Sequence, residues 1–304
     1  MTGVRQTRPD ARARTTLDKA TDENFPVAPF FLPRAWRADL MAVYGYARLV
    51  DDIGDGDLAP GGADARHLGA DPDADPLTLL DAFEADLRRA FGGAATAPSH
   101  PLLRALLPTV RRHALTPEPF LALIEANRQD QHVRRYGTYG ELVAYCELSA
   151  NPVGRLVLAV TGTTTPERIR HSDAVCTALQ IVEHLQDVAE DLGRDRIYLP
   201  ADDMVRFHVT EADLARPTAG ASVRALVAYE AERARELLKE GTPLVGSVHG
   251  RLRLLLAGFV AGGHAALDAV KATRHDVLPG PPRPTKLRLL RQAGAVLRTA
   301  RREG

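Results

Sequence analysis

The amino-acid sequence predicts an all-α protein, and the spacing of its apolar residues carries that prediction. Through much of the chain they recur every three or four positions, as at Leu40, Val43, Ala47 and Val50, which is the period of an amphipathic helix. Continuous β-branched runs bounded by turn residues are scarce, and only 5% of the residues are aromatic. With 304 residues and no long polar linker, the chain is able to bury a sizeable core.

The predicted elements follow in order along the chain. Residues 1–20 are rich in arginine and lack an apolar period, so we expect a disordered leader there. A first helix ends near Asp55, and a loop rich in Gly, Asp and Pro follows over residues 56–76. The fourth of the later helices is interrupted at Asn151 and Pro152. These later helices are predicted at 77–91, 101–114, 117–130, 139–160, 165–193, 222–240 and 252–273, and a basic amphipathic helix at 285–304.

Charge and targeting signals limit the possible partners. Lys plus Arg and Asp plus Glu both number 39, so no overall field recruits nucleic acid or an anionic membrane. Cys146 and Cys176 lack metal-ligand spacing, and neither a signal peptide nor a bilayer-length apolar span is visible. These features predict a cytoplasmic protein that does not bind nucleic acid. The basic C-terminal helix leaves a transient contact with the inner membrane face open, although a solvated helix is the commoner case.

The first acidic cluster lies at the end of the first helix. Arg48, Asp51, Asp52 and Asp55 share one helix face by the i, i+3, i+4 rule, and Tyr44 precedes them by one turn. Taken alone, acidic residues at this spacing are typical of a solvated helix face. This cluster therefore becomes informative only together with a second one.

The second acidic cluster lies within an apolar helical segment. Gln180, Glu183, Asp187 and Asp191 recur at helical spacing among apolar neighbours. Like charges in such a setting destabilise a helix, so the sequence predicts compensating cations. Carboxylates suit Mg²⁺, whereas zinc prefers His or Cys, and we expect His184 to be structural or solvent-facing.

Two facing acidic clusters predict a site that binds a metal-bridged diphosphate and promotes its departure. The carbocation left behind needs a dry, apolar pocket. Positive charge after the second cluster either grips the diphosphate or, at Arg196, pairs with Asp191 or Glu190 to hold the helix end. The candidate pocket and diphosphate residues are Phe25, Tyr44, Tyr145, Val153, Gly154, Arg196 and Tyr198.

These motifs together resemble the squalene/phytoene synthase family. The resemblance rests on DDIGD from Asp51 and DVAED from Asp187, supported by ENFPVA from Glu23, YCELSANPVGRLVL from Tyr145 and LQIVEHLQDVAEDLGRDRIYLP from Leu179. It spans about residues 22–284. It implies an isoprenoid-synthase helical bundle over residues 21–284, with a central apolar cavity between two Asp-rich helices.

Within the family, ENFPVA and SANPVGRLVL are most similar to the bacterial hydroxysqualene synthase branch of squalene and hopanoid biosynthesis. This similarity implies Mg²⁺-dependent ionisation of presqualene diphosphate, rearrangement, and quenching by water without NADPH. A synthase that condenses two prenyl diphosphates and a non-catalytic helical relative are the alternatives. The resemblance assigns metal and diphosphate to Arg48, Asp51, Asp52, Asp55, Gln180, Asp187, Asp191 and Arg196, and the prenyl pocket to Phe25, Tyr44 and Tyr145.

Two departures from the family pattern concern the phosphate site. Glu183 stands where condensing relatives often carry Asn, and residues 22–24 before Phe25 lack the usual Ser or Lys. An enzyme that holds one diphosphate can lose part of a second phosphate site. Glu183 is therefore expected to ligate metal or to orient water.

Overall fold

The computed structural model describes residues 28–59, 61–92 and 97–300. Within these residues the chain is helical and has no strand beyond an isolated bridge between Arg135 and Ile197, which confirms the all-α prediction. The predicted leader and Phe25 lie outside the described residues. In chain order the helices are α1 Arg34–Gly54, α2 Ala63–His67, α3 Pro76–Phe91, α4 Pro101–His113, α5 Glu118–Gln129, α6 Tyr139–Ser149, α7 Asn151–Val160, α8 Pro166–Gln186, α9 Val188–Gly193, α10 Ala201–Arg206, α11 Glu211–Leu214, α12 Ala221–Gly241, α13 Pro243–Gly246, α14 Gly250–Ala272 and α15 Lys286–Thr299.

Helix α1 carries the first acidic cluster and is held in place by its apolar face. It packs on α3, α4, α5 and α7. The buried ring of Tyr46 lies 5.4 Å from that of Phe83 and 4.9 Å from that of Phe120, and its hydroxyl donates to the Phe120 carbonyl at 2.8 Å. Full burial of large side chains and a satisfied hydroxyl stabilise this position of α1. The end of α1, with Asp51 and Asp55, is thereby fixed beside α5.

The second acidic cluster lies at a helix break that the sequence did not predict. We expected one helix over residues 165–193, but α8 ends at Gln186 and α9 begins at Val188. Asp187 lies between them with φ −105° and ψ 14°, outside helical geometry. The break is local, because the amide of Asp191 still donates to the Asp187 carbonyl at 2.8 Å. Asp187 is therefore the residue that joins α8 to α9, and it does not continue the α8 helix.

The predicted interruption at Asn151 and Pro152 is confirmed. Helix α6 ends at Ser149, and Pro152 occupies the first turn of α7, where its missing N–H costs nothing. The Asn151 side chain accepts a hydrogen bond from the Thr177 hydroxyl at 3.0 Å. This bond ties the start of α7 to α8, the helix that leads to the second cluster.

Helices α14 and α15 are the last two helices of the bundle, and they pack on each other. By length and mean hydropathy (1.3), α14 is apolar enough to cross a membrane, which corrects the expectation that no such segment exists. Within the protein, 67% of its most apolar window is buried, as is typical of a core helix. Helix α15 packs on α14 and leaves Leu287 and Leu290 exposed.

A buried carboxyl group on α12 makes stability depend on pH. The Glu230 side chain is 2% exposed, and Arg233 donates to it at 3.1 Å. Burial, with a smaller effect of Asp203, raises the pKa of Glu230 from 4.5 to about 7. Between these values the unfolded chain has released its proton while the folded protein keeps it, so the free energy of unfolding falls as pH rises through this window.

We expect this loss to approach about 3 kcal/mol between pH 4.5 and pH 7. Urea unfolding at pH 5 and pH 8 measures it, with Glu230→Gln as the variant that lacks the titrating group. The variant should lose less stability than the parent protein between the two pH values. Equal losses in both proteins would contradict the expectation.

Candidate active site

Two adjoining cavities meet beside the acidic clusters. The apolar lobe has a volume of about 350 Å³ and lies among α7, α8 and α14, and the polar lobe has a volume of about 370 Å³ and lies between the ends of α1 and α8. The two lobes share four lining residues, which we call the neck. The neck consists of Asp51, Ser149, Gln180 and Glu183.

Carboxylates and guanidinium groups line the polar lobe together. Arg196 donates to Asp55 at 2.9 Å, and Arg194 approaches Asp55 at 3.6 Å and Glu190 at 3.3 Å. The sequence suggested that Arg196 either grips the diphosphate or pairs with Asp191 or Glu190. In the structure its side chain instead pairs with Asp55 of the first cluster, 141 residues away in the chain. The charged residues of the lobe are Arg48, Asp51, Asp55, Asp57, Asp130, Glu183, Asp187, Glu190, Asp191, Arg194 and Arg196.

The surroundings of Asp51 and Asp187 disfavour the ionised form of each carboxylate. The Asp51 side chain borders both lobes and is otherwise surrounded by protein. This burial raises the pKa of Asp51 to about 7. The hydrogen bond that Asn127 donates to Asp51 at 3.1 Å lowers the pKa and offsets only part of the effect. Burial and the neighbouring Asp191 and Glu190 raise the pKa of Asp187. A cation between them favours the ionised form of both groups.

Asp52 and Tyr44 are not among the residues that line either lobe, and the roles predicted for them in metal binding and the prenyl pocket stay predictions. Asp52 is 3% exposed and accepts a hydrogen bond from the Arg48 Nε atom at 3.0 Å. Asp52 follows Asp51 by about 100° around α1, and it is buried against the protein while Asp51 lines the polar lobe. Asp52 instead orients Arg48, which does line it.

A buried carboxylate with two tyrosine partners was missed from the sequence. Asp130 is 8% exposed and accepts hydrogen bonds from the hydroxyls of Tyr145 at 2.8 Å and Tyr198 at 3.3 Å. Burial raises its pKa. Tyr145 and Tyr198 therefore line the polar lobe, and Tyr145 is not among the residues lining the apolar lobe, where we expected it. No local pattern around Asp130 signals this role.

His184 also lines the polar lobe, a placement that the sequence did not predict. Its ring stacks on that of Tyr198 at 3.7 Å with an interplanar angle of 10°. Its Nε2 atom lies 3.2 Å from the Gln180 amide nitrogen and its Nδ1 atom 3.9 Å from Asp191. In the sequence, positions 180, 184, 187 and 191 recur at helical spacing, so the pattern of the acidic cluster held a signal for this histidine.

A profile described as squalene/phytoene synthase matches residues 18–291. The chain belongs to this family. Members of the squalene/phytoene synthase family are enzymes that act on prenyl diphosphates, so the predicted family and enzyme class are confirmed.

Named relatives support the family assignment over most of the chain. Hydroxysqualene synthase from Zymomonas mobilis is 35% identical over 261 residues, which cover 84% of this chain and 81% of the relative. Phytoene synthase from Arthrospira platensis is 30% identical over 268 residues, with 84% and 82% covered. Among solved structures, squalene synthase HpnC from Alicyclobacillus acidocaldarius gives a TM-score of 0.74 at 42% identity and covers 85% of this chain and 92% of that chain. The isoprenoid-synthase fold predicted from the sequence is confirmed.

The carboxylates of this family member do not form a ready-made metal cage. No group of three or more His, Cys, Asp or Glu side chains in the described parts of the chain is placed to hold a single ion. Mg²⁺ does not require such a cage, because it keeps several waters and completes its shell with substrate phosphates. The polar lobe offers carboxylate oxygens from both acidic clusters, which are ligands that Mg²⁺ prefers, whereas zinc prefers His or Cys.

Gly154 lines the apolar lobe at a point where α7 and α8 are too close for a larger residue. A Cβ atom at this position would lie 2.4 Å from the Ser172 Oγ atom and 2.6 Å from the Cys176 Sγ atom. We expect Gly154→Ala to destabilise the fold by about 1–3 kcal/mol through overpacking. Urea unfolding measures the change, and adding Cys176→Ala should recover part of it by removing one of the two contacts. No recovery would show that the strain lies elsewhere.

Proposed function

We propose that this protein is a hydroxysqualene synthase, which ionises presqualene diphosphate and quenches the rearranged cation with water. The observation that carries the proposal is the junction of a charged lobe with an apolar lobe at one neck. A diphosphate and a long hydrocarbon need two such environments side by side. The 35% identity to a hydroxysqualene synthase and the 42% identity to a squalene synthase structure support the choice of reaction.

The polar lobe would hold Mg²⁺ and the diphosphate. Asp51 and Asp55 on one wall and Asp187 and Asp191 on the other are the proposed ligands. When bound, the metal neutralises the charge that develops on the leaving diphosphate. Arg48, Arg194 and Arg196 would bind the remaining phosphate oxygens, because guanidinium groups donate two parallel hydrogen bonds to such anions.

The apolar lobe would shelter the hydrocarbon and its cation. Val153 and Gly154 from α7 and Leu179 from α8 line it, together with residues of α14. Water excluded from this space cannot attack the cation before it rearranges. Gln180, which lines both lobes and lies beside His184, would meet the substrate where its polar and apolar parts join.

The competing function is condensation of two prenyl diphosphates, as the name of the phytoene synthase relative suggests. Glu183 at the neck disfavours it, because a carboxylate repels a second diphosphate at that position. The intact charged lobe disfavours a non-catalytic relative. We infer that no NADPH is used, since quenching by water needs no hydride.

A cytoplasmic enzyme with a lipid substrate must also meet a membrane. We propose that α15 makes this contact transiently, with Leu287 and Leu290, which are 78% and 71% exposed, facing the lipid. Lys286 and Arg291 on the same helix would approach anionic headgroups. Leu289 of α15 lines the apolar lobe, so the helix lies between that lobe and the proposed lipid surface.

The decisive experiment is incubation of the purified protein and Mg²⁺ with presqualene diphosphate, and separately with farnesyl diphosphate, without NADPH. Mass spectrometry identifies the products. Hydroxysqualene from presqualene diphosphate alone supports the proposal. Products from farnesyl diphosphate would move the assignment to a condensing synthase, and no diphosphate release from either would favour a non-catalytic relative.

A further inference from the structure

The neck is the place where the reacting carbon must lie, given the proposed function. The leaving group belongs in the polar lobe and the hydrocarbon in the apolar lobe, so the bond between them crosses the four residues that both lobes share. A water molecule that quenches the cation must be held close to this point. It needs two to four polar partners to be ordered there.

Ser149 is the neck residue with an unused hydrogen-bonding group. Its Oγ atom is shielded from solvent and has no hydrogen-bond partner among the described residues. By contrast, Asp51 accepts from Asn127, and Gln180 lies within hydrogen-bond distance of His184. Leaving a buried hydroxyl without a partner is unfavourable, so a serine at this position suggests a partner that arrives with the reaction.

Other hydroxyls at helix ends in the same chain behave differently. Thr161, Thr242, Ser247 and Thr273 each donate to a carbonyl three or four residues earlier, at 2.7–2.8 Å. This local bond is the usual arrangement for Ser and Thr in helices. Ser149 ends α6 and does not make it. Its hydroxyl is therefore able to turn into the neck by rotation about the Cα–Cβ bond without breaking an existing hydrogen bond.

We propose that Ser149 positions the water molecule that quenches the carbocation, a role that rests on the proposed function. The hydroxyl of Ser149 accepts a hydrogen bond from the water, which directs a water lone pair toward the cation. The water oxygen forms the new carbon–oxygen bond, and its second proton passes to the Glu183 carboxylate across the neck. The product is a neutral alcohol, and the proton later leaves to solvent, so no oxidant or reductant is consumed.

Ser149→Ala tests this role through the ratio of products. A cation without a positioned water loses a proton to give a hydrocarbon, so we expect the ratio of alcohol to hydrocarbon to fall by about three- to tenfold. Diphosphate release from presqualene diphosphate should change by less than about threefold, because ionisation precedes the quench. A merely structural role would lower both products in parallel and leave their ratio unchanged.

Three further variants complete the test. Ser149→Thr keeps the hydroxyl and should keep the alcohol as the main product, whereas Ser149→Cys should behave like Ser149→Ala and replaces it if the alanine variant does not fold. Ser247→Ala removes a helix-end hydroxyl outside both lobes and should leave the ratio unchanged. An unchanged product ratio in folded Ser149→Ala or Ser149→Cys overturns the role of Ser149. Absence of hydroxysqualene from the unsubstituted protein instead overturns the proposed function.

Discussion

Asp51→Asn is expected to lower the turnover of presqualene diphosphate by about 10³-fold or more at saturating Mg²⁺. Asp51 lies at the neck, and among the four proposed metal ligands it is the one that lines both lobes. An amide keeps the shape of the side chain but removes the negative charge that would hold the cation. Diphosphate release measured at several Mg²⁺ concentrations distinguishes weaker metal binding from slower chemistry.

The same substitution should not destabilise the fold. Burial raises the pKa of Asp51 from 3.8 to about 7, so above pH 7 the metal-free protein holds an unfavourable carboxylate that the amide removes. We expect an equal or higher Tm for Asp51→Asn at pH 8 without metal. Asp73→Asn, in an exposed turn that lines neither lobe, is the matched control and should retain activity within about twofold. Activity of Asp51→Asn within tenfold of the parent would contradict the metal-binding role.

Chelation of Mg²⁺ is expected to abolish turnover, by about 10³-fold or more, without unfolding the protein. The carboxylates of the polar lobe do not form a cage of three ligands within the described residues, so the metal would not be part of the folded core. Inorganic diphosphate would supply the missing ligands. Mg²⁺ and diphosphate together should therefore raise Tm by more than the sum of their separate effects.

Thermal unfolding with each ligand alone and with both measures this cooperation. Asp187→Asn, which removes a carboxylate from the wall opposite Asp51, should lose most of the joint shift. Adding Mg²⁺ after chelation should restore activity in the parent protein. Full activity in excess chelator, or the same Tm shift with Mg²⁺ alone, would contradict the proposed mode of binding.

Much of the site could be predicted because both acidic clusters lie on helices. The period of 3.6 residues places Asp51 and Asp55 on one face, and Asp187 and Asp191 recur at the same spacing beyond Gln180. The structure brings these residues to one polar lobe, together with Arg48 and Arg196. The roles proposed for them in metal and diphosphate binding remain predictions.

Helical spacing does not give the exact rotation of a helix about its axis. The i, i+3, i+4 rule placed Asp52 with Asp51, but the exact orientation of α1 buries Asp52 against the protein and turns Asp51 to the lobe. The rotation of a helix depends on the elements packed around it, here α3, α4, α5 and α7. A pattern along one helix does not contain that information.

By itself, the sequence determined the helical class, the family, the position of the acidic clusters and the break before α7, because each depends on residues near one another in the chain. Only the tertiary structure decided that Asp130 meets Tyr198 across 68 residues, that Asn127 meets Asp51 across 76, and that Ser149 lies at the neck. These contacts arise when helices pack, and their geometry is set by side-chain volumes throughout the core. Local periodicity cannot fix distances between helices that are remote in sequence.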